Sequence, residues 1–327
     1  MVKVELLRDW DAVEAATGGL LDRAGQACLH DRLSWFRLLA THCPPPGQLL
    51  AAHADGAWLM LAERNGEAES YAAWYSLRHG LIGNPVRAAD VARALRRRGL
   101  TRVTLAPLAA PEELLAGFRA AGWSARLEPA FGNWIAHTDG LDFDRYWSKR
   151  PGKLRSTAAR KAKAAGLAVE VHDRFDPAAW DAYQAVYRAS WKPEEGSFPF
   201  LRALASQEGA AGTLRLGIAR EDGRPVAAQL WLVENGIATI HKLAYAEDAK
   251  ALSPGTVLGA AMFRRVIDTD RVRLIDYGTG DDAYKRDWMD ERRQLWRLVA
   301  DNPATMSGAL RIARARAAAL VRSPASV

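Results

Sequence analysis

Four consecutive residues, Ser253-Pro254-Gly255-Thr256, have the types that begin a helix and bind an anion there. A serine before a proline at the first helical position predicts a helix N-terminus, and the apolar run that follows at helical spacing predicts the helix. Backbone N–H groups without partners give such an end partial positive charge, which suits a phosphate or pyrophosphate. The same residues also occur where a helix is merely well capped.

A second segment, about 20 residues further on, could supply reacting groups. Asp276 ends a predicted strand, and Gly278 and Gly280 follow it in a turn that needs glycine. Tyr284 and Lys285 come next, so a carboxylate, a phenol and an ammonium lie within ten residues. Together the two segments predict a transferase that holds a phosphate-bearing donor.

These segments resemble the acetyltransferase superfamily with the Gcn5-related fold. More closely, they resemble the branch that contains the cellulose-biosynthesis CelD/BcsL-like proteins and the Fem-type peptidyl transferases. The resemblance covers about residues 145–300. Its motifs are Lys242-Leu243-Ala244-Tyr245, Ser253-Pro254-Gly255-Thr256, Asp276-Tyr277-Gly278-Thr279-Gly280 and Tyr284-Lys285-Arg286-Asp287-Trp288, with weaker support from Lys153-Leu154-Arg155 and Ser190-Trp191-Lys192.

The resemblance implies where an acyl-CoA donor binds. In this fold two adjacent parallel strands separate, and the pantetheine arm of the donor occupies the gap. The matching strands are predicted at 237–245 and 272–276, with the donor's phosphates at Ser253–Thr256. Backbone N–H groups of Lys242, Leu243 and Ala244 would then stabilise the oxyanion that forms on the acyl carbonyl.

Three side chains are candidates for the chemistry. Asp276 is expected to act as a general base or to orient the acceptor amine, or alternatively only to stabilise the glycine turn. In Fem-type enzymes the lysine of the matching segment supports charge in the transition state, which implies that role for Lys285; the alternative is a surface lysine paired with nearby aspartates. His241 is a third candidate, as proton acceptor or as a structural histidine. Tyr284, Trp191 and Arg155 are the candidates for substrate binding.

Composition excludes several classes of protein. No window approaches the 18 uninterrupted apolar residues of a membrane span, and the N-terminus lacks the pattern of a signal peptide. Cys28 and Cys43 have no metal-type spacing, the seven histidines are scattered, and neither a metal nor a disulfide is expected. A reducing, cytoplasmic location fits this composition.

The net charge of +7 is unevenly distributed. Residues 1–140 contain fifteen basic and fifteen acidic residues, so the excess lies in residues 141–327. Residues 145–163 hold eight basic residues and no acidic one. Such a run is either a solvated helix face or an edge that attracts an anionic cofactor, an acyl carrier protein, tRNA or an anionic sugar polymer. The aromatic residues of the run, Tyr146 and Trp147, are adjacent and not interleaved with the basic residues as base stacking requires, so DNA is not an expected partner.

The order of predicted elements occurs twice, which predicts a duplicated α/β architecture. Fem-type proteins also carry two such halves, so the resemblance implies two tandem acetyltransferase-like domains, 1–140 and 141–327. Each would be a mixed, mostly antiparallel sheet flanked by helices, with the first domain degenerate. Asp222-Gly223 and Asn235-Gly236 predict hairpins. Further strands are predicted at 71–77, 123–127 and 134–137. Helices are predicted at 145–163, where the basic residues cluster, and at 254–267. A C-terminal helix at 305–322 is expected either to pack on the domain or to lie on a membrane surface.

The sequence thus predicts an acyltransferase that moves an acyl group from acetyl-CoA or another acyl-CoA. The acceptor would be a small molecule or glycan: an amino sugar, an amino acid or a polysaccharide precursor. Lys250 to Gly255 supplies one glycine where simple acetyltransferases have a glycine-dense loop. Two alternatives therefore stay open: a Fem-like transferase that uses aminoacyl-tRNA, and a non-catalytic regulatory module with the same fold.

Overall fold

The computed structural model describes residues 2–164 and 166–322. The strands are β1 (Glu5–Leu7), β2 (Gln48–Ala54), β3 (Ala57–Arg64), β4 (Glu67–Ser70), β5 (Ile82–Gly83), β6 (Arg102–Leu108), β7 (Ser124–His137), β8 (Ala168–His172), β9 (Leu214–Glu221), β10 (Arg224–Glu234), β11 (Ile237–Tyr245), β12 (Leu274–Thr279) and β13 (Glu291–Asp301). The helices are α1 (Trp10–Thr17), α2 (Leu33–His42), α3 (Ala88–Arg97), α4 (Glu112–Ala120), α5 (Phe143–Ser148), α6 (Gly152–Ala164), α7 (Pro177–Arg188), α8 (Phe198–Ala210), α9 (Pro254–Arg264), α10 (Lys285–Trp288) and α11 (Met306–Arg322).

The chain divides into two compact units. The first unit comprises the chain up to Phe131 and the chain from Gln294 onward, and the second comprises Gly132–Arg293. Two long strands, β7 and β13, each contribute residues to both units. The boundary predicted at 140/141, and the degenerate character of the first half, stay predictions about domain organisation.

In the first unit, β1, β2, β3, β4, β6 and the end of β13 lie side by side in that order, and β5 pairs with β3. All pairs are antiparallel except β4 with β6, whose connection includes α3. Helix α4 approaches the start of α3 closely, since a Cβ added at Gly117 would lie 2.6 Å from the Cβ of Ala88. Leucines and alanines of the sheet and these helices form the core.

In the second unit the order is the end of β7, then β12, β11, β10, β9 and β8. Only β11 and β12 are parallel, and the crossover between them contains α9. Helix α9 packs tightly on the sheet because Gly217 of β9 lacks a side chain; a Cβ there would lie 2.6 Å from the sulfur of Met262. Trp231 and Phe263 are buried in the core between them.

Local signals for turns and helix starts are confirmed. Asp222-Gly223 and Asn235-Gly236 join antiparallel strands, with positive φ at both residues of each turn (48° and 82°; 50° and 74°). Pro254 is the first residue of α9, as predicted. The tandem α/β architecture, with each sheet mixed and mostly antiparallel, is therefore as the sequence predicts.

Several predicted bounds are wrong. Residues 71–77 are irregular, and the strand nearest to them, β4, follows a turn at Asn65-Gly66 and ends before them at Ser70. The strands predicted at 123–127 and 134–137 are one strand, β7, because the residue before Pro129 prefers the extended backbone that a strand also uses. The basic helix breaks at Pro151 into α5 and α6. The helix predicted at 254–267 is α9 followed by a π-helical turn, Arg265–Thr269.

The C-terminal helix α11 is attached to the first unit through Arg311. This side chain donates to Asp301 and to Glu67, each at 3.0 Å. Met306 and Leu310, near the start of this helix, are exposed. No helix in residues 2–164 or 166–322 is long and apolar enough to span a bilayer.

Candidate functional site

The two parallel strands of the second unit separate after a short ladder. Their paired residues are Ile237 with Leu274, Ala238 with Ile275 and Thr239 with Asp276. β11 continues to Tyr245 and β12 to Thr279, and over these described residues no further pairs join them. The strands therefore leave an open gap between them, as the family resemblance implies.

Only alternate residues of β11 turn their backbone groups toward this gap. The N–H of Ala246 donates to Val226 at 2.9 Å, and Ala244 and Lys242 occupy the next equivalent positions opposite β10. In an antiparallel pair the intervening residues point their N–H and C=O groups to the other side. Leu243 and Tyr245 consequently face the gap. Of the three predicted oxyanion residues, Leu243 alone directs its N–H there, while Lys242 and Ala244 bond within the sheet.

His241 is the extra residue of a β-bulge. Lys242 pairs with Leu230 and Ile240 pairs with Trp231, so the register of β11 against β10 shifts by one residue at His241. Its side chain is buried. Bulges redirect a strand and are frequent beside active sites. The bulge lies where β11 leaves β12, so it contributes to the gap, and a role as proton acceptor stays a prediction.

A cavity of about 540 Å³ opens at this gap. Its walls come from β10–β12, the segment before α9, α9 itself, α6, the Trp191 loop and α10. The lining residues are Lys153, Leu154, Thr157, Trp191, Gln229, Leu243, Tyr245, Lys250, Ser253, Pro254, Gly255, Thr256, Gly259, Phe263, Tyr277, Tyr284, Asp287 and Trp288. Residues from both of the sequence segments that predicted a transferase thus meet at one cavity.

The N-terminus of α9 borders the cavity, but its details differ from the expectation. Ser253 has a left-handed backbone (φ 52°), and its hydroxyl makes no capping hydrogen bond. The N–H groups of Thr256 and Val257 both donate to the Ser253 carbonyl, at 3.0 and 3.2 Å. These two N–H groups are therefore already paired, and Pro254 has no N–H. This end of the helix consequently offers fewer open donors than the sequence predicts. Lys250, exposed nearby, adds a full positive charge.

Aromatic rings form much of the remaining wall. The rings of Trp191 and Tyr245 lie 4.2 Å apart between centroids, and those of Phe263 and Trp288 lie 4.9 Å apart. Trp191 is 47% exposed, so it can be reached from solvent. Trp191 and Tyr284, predicted to bind substrate, do border the cavity. Arg155 does not: it lies on the exposed side of α6 and donates to the Arg150 carbonyl at 3.1 Å.

Lys285 is buried under the glycine turn and is not a surface residue. Its ammonium donates to the carbonyls of Thr279 at 2.9 Å and Gly280 at 3.3 Å, and lies 3.7 Å from Asp282. Burial lowers its pKa, while the nearby aspartates act in the opposite direction. The side chain contacts the loop that ends β12 and does not border the cavity.

Asp276 stabilises the same turn. One of its carboxylate oxygens accepts from the Gly278 N–H at 2.7 Å and from the Asn133 amide at 2.6 Å. Gly278 and Gly280 have φ of 66° and 109°, which explains the need for glycine. Burial raises the pKa of Asp276, although these hydrogen bonds favour the carboxylate. The geometry supports the turn-stabilising interpretation, and the general-base role stays a prediction.

A lysine–glutamate cluster, which the sequence did not predict, lies close by. Lys242 pairs with buried Glu195 at 3.1 Å, and burial lowers the pKa of Lys242. Burial and the charge of Lys242 together lower the pKa of Lys192 to about 8. Glu195 and Lys242 are far apart in sequence, so no spacing signal joins them. Within the described ranges, no group of three or more metal-binding side chains is found.

Gly259 and Phe263 also border the cavity and were missed. A signal for them exists. They follow Gly255 by four and eight residues, so all three lie on one face of the helix that begins at the predicted anion site.

Comparisons with known proteins identify the fold. Residues 148–286 match the family described as acetyltransferase (GNAT) domain. No curated protein matches the chain in sequence. The C-terminal domain of a protein assigned as a lysylphosphatidylglycerol synthetase from Agrobacterium fabrum is similar in structure, with a TM-score of 0.61 and 17% identity over 94% of this chain and 96% of that one.

Two further solved structures agree. FemX gives a TM-score of 0.60 and 10% identity over 90% of this chain and 96% of its own. A tandem GNAT protein from the clavulanic acid biosynthesis pathway gives 0.50 and 14% identity over 93% of this chain and 100% of its own. At such identities the likeness shows the fold alone. The chain therefore has the tandem acetyltransferase fold that the sequence predicts, a fold whose family consists generally of acyltransferases.

Proposed function

We propose that the chain is an acyltransferase that binds an acyl-CoA donor in the cavity of the second unit. The observation that carries this proposal is the gap between β11 and β12, which opens directly onto the N-terminus of α9. The cavity volume of about 540 Å³ is within the usual range for small-molecule sites. Donor phosphates would lie near Gly255 and Lys250, where the helix dipole and an ammonium favour negative charge.

The pantetheine arm would lie along β11. Its two amides need hydrogen-bond partners, and Leu243 and Tyr245 present backbone groups to the gap at alternate positions, as an added strand would require. The Leu243 N–H would stabilise the oxyanion on the thioester carbonyl, which leaves the Leu243 carbonyl and the Tyr245 backbone groups for the pantetheine amides. In the reaction an acceptor amine or hydroxyl attacks the carbonyl carbon of the thioester, and the acceptor's proton passes to a base, for which Asp276 and His241 stay the candidates. The C–S bond then breaks, and CoA leaves as a thiolate that takes up a proton.

The acceptor class rests on the family resemblance. The CelD/BcsL-like branch suggests an amino sugar, an amino acid or a polysaccharide precursor. We assign the chemistry to the second unit because the cavity, the glycine turn and Lys285 all lie there.

Aminoacyl-tRNA as donor is the second candidate, favoured by the structural likeness to FemX and by the basic face of α6. Arg155, Arg160 and Lys163 are exposed on that helix. A thermal-shift comparison separates the two donors: acetyl-CoA and longer acyl-CoAs should raise the melting temperature, whereas a rise with aminoacyl-tRNA alone would favour the alternative.

The remaining alternative is a non-catalytic regulatory module. Such a module would transfer no group from either donor, and its cellular function would survive Lys285→Ala.

Gly255→Val should weaken donor binding at least tenfold. A Cβ at this position lies 3.2 Å from the Tyr245 ring, so the larger side chain fills the space between α9 and β11 and forces the ring toward the gap. Calorimetry with acyl-CoA measures the effect. Gly152→Val is the matched control, because a Cβ at Gly152 contacts nothing within 4 Å. Equal donor affinity in the two variants would refute this placement.

A further inference from the structure

The short helix α10 directs three side chains to the cavity. Tyr284, which precedes the helix, and Asp287 and Trp288 within it all border the cavity. Residues three and four apart lie on the same side of a helix, so these three share one face. Asp287 is half-buried there, and of the described residues that border the cavity it is the only one with a carboxyl group. A ligand that fills the cavity therefore meets this carboxylate.

No cation of the protein pairs with Asp287. The other three aspartates near α10 each have one: Asp281 pairs with Arg292, Asp282 with Lys285 and Asp290 with Arg150. In the described part of the chain, no lysine, arginine or histidine nitrogen lies within 4 Å of the Asp287 carboxylate. This holds for Lys153 on α6 and Lys250 before α9, the two lysines that also border the cavity. The unpaired aspartate of this segment is thus the one that faces the cavity.

A ligand in the cavity removes water from this carboxylate. Burying a charge without a partner costs free energy, so a ligand binds well there only if it supplies a cation or a hydrogen-bond donor. A primary ammonium supplies both, since it carries a full positive charge and three N–H donors. The rings of Tyr284 and Trp288 on the same face favour the same charge, because aromatic rings attract cations over their faces. A phosphate or carboxylate at this position would be repelled.

We propose that Asp287 binds a primary ammonium group of a substrate in the cavity. The inference rests on the proposed function and specifies its substrate class. The ammonium has one of two sources: the amine of the acceptor, or an amino group on the acyl chain of the donor. An acceptor hydroxyl carries no charge and gains less from the carboxylate, so the inference favours an amine acceptor over a hydroxyl acceptor.

The donor source is tested with two matched thioesters. β-Alanyl-CoA and butanoyl-CoA have acyl chains of the same length, and an ammonium in the first stands where the second has a methyl group. If the acyl chain carries the ammonium, calorimetry should show that the wild-type protein binds β-alanyl-CoA at least about tenfold more tightly than butanoyl-CoA.

The acceptor source is tested in the presence of saturating CoA with two further pairs. Glucosamine is compared with glucose, and L-lysine with L-norleucine, which has the same chain without the ammonium. If the acceptor carries the ammonium, the charged member of at least one pair should bind at least about tenfold more tightly in calorimetry.

Asp287→Asn should remove whichever preference the wild-type protein shows, because the amide keeps the shape of the side chain and loses its charge. Asp181→Asn is the matched control, since Asp181 is exposed on α7 and does not border the cavity. CoA binding without a preference for the ammonium in any of the three pairs, or with a preference that Asp287→Asn leaves intact, would overturn the inference and leave the proposed function standing. Failure of CoA and both thioesters to bind would overturn both.

Discussion

Lys285→Ala should lower kcat by about 100-fold, because the variant loses both a positive charge beside the gap and the ammonium that holds the glycine turn. The ammonium lies under the turn that ends β12 and donates to the carbonyls of Thr279 and Gly280. It thereby adds positive charge beside the gap and fixes the loop next to it. Because the ammonium does not border the cavity, it does not contribute directly to donor binding, so donor affinity should change little. Steady-state kinetics together with calorimetry separates the two quantities.

The control for this variant is Arg286→Ala, which removes an exposed cation from the neighbouring position. It should retain nearly full activity. Lys285→Arg should restore part of the rate, because the charge remains but the guanidinium cannot reproduce the geometry of the ammonium. If Lys285→Ala keeps more than about a third of the wild-type kcat, the lysine has no part in turnover.

Asp301→Asn should lower the free energy of unfolding of the first unit by about 3 kcal/mol. This carboxylate is 1% exposed and pairs with Arg102 at 2.8 Å, Arg126 at 3.1 Å and Arg311 at 3.0 Å. Breaking a buried ion pair costs about 3–5 kcal/mol, and the lower end applies because the arginines are partly exposed and can be rehydrated. Urea unfolding measures the change.

The same network sets a pH dependence. Its arginines keep the pKa of Asp301 below the ordinary value of 3.8, despite the opposing effect of burial. A lowered folded-state pKa means that the stabilisation is complete above about pH 4 and is lost as the pH falls through the folded-state value.

Glu128→Gln is the control for Asp301→Asn. The pair of Glu128 with Arg126 is exposed, so the loss of unfolding free energy should be under about 1 kcal/mol. Equal losses of unfolding free energy for Asp301→Asn and Glu128→Gln would contradict the stabilising role of Asp301.

The fold could be predicted where local signals decide it. Turns such as Asn235-Gly236 need positive φ at both residues, and Pro254 can begin a helix but not continue one. Prediction failed where tertiary structure decides. Tyr71 and Tyr75 are of a type that favours strands. They belong instead to an irregular loop, and their side chains are buried. The sequence also suggested a helix through Pro151, where the chain instead breaks.

The candidate site was predictable in outline only. Ser253–Thr256 and Tyr284 border one cavity, as the sequence suggested. Arg155 was misplaced because helix composition does not show which face of α6 packs inward. The burial of Lys285 was missed because charged residues are usually exposed. Gly259 could have been predicted from its four-residue spacing, whereas the pairing of Glu195 with Lys242 depends on the fold.

The central claim is that the donor binds the second unit, between β11 and β12. A crystal structure of the chain with acyl-CoA tests it most directly. The first unit has a similar helix start at Asn84-Pro85, where the Asn84 side chain accepts from the Val86 N–H. We expect phosphate density beside Gly255 and pantetheine density along Leu243 and Tyr245. Donor density at Asn84-Pro85, with the gap between β11 and β12 unchanged, would contradict it.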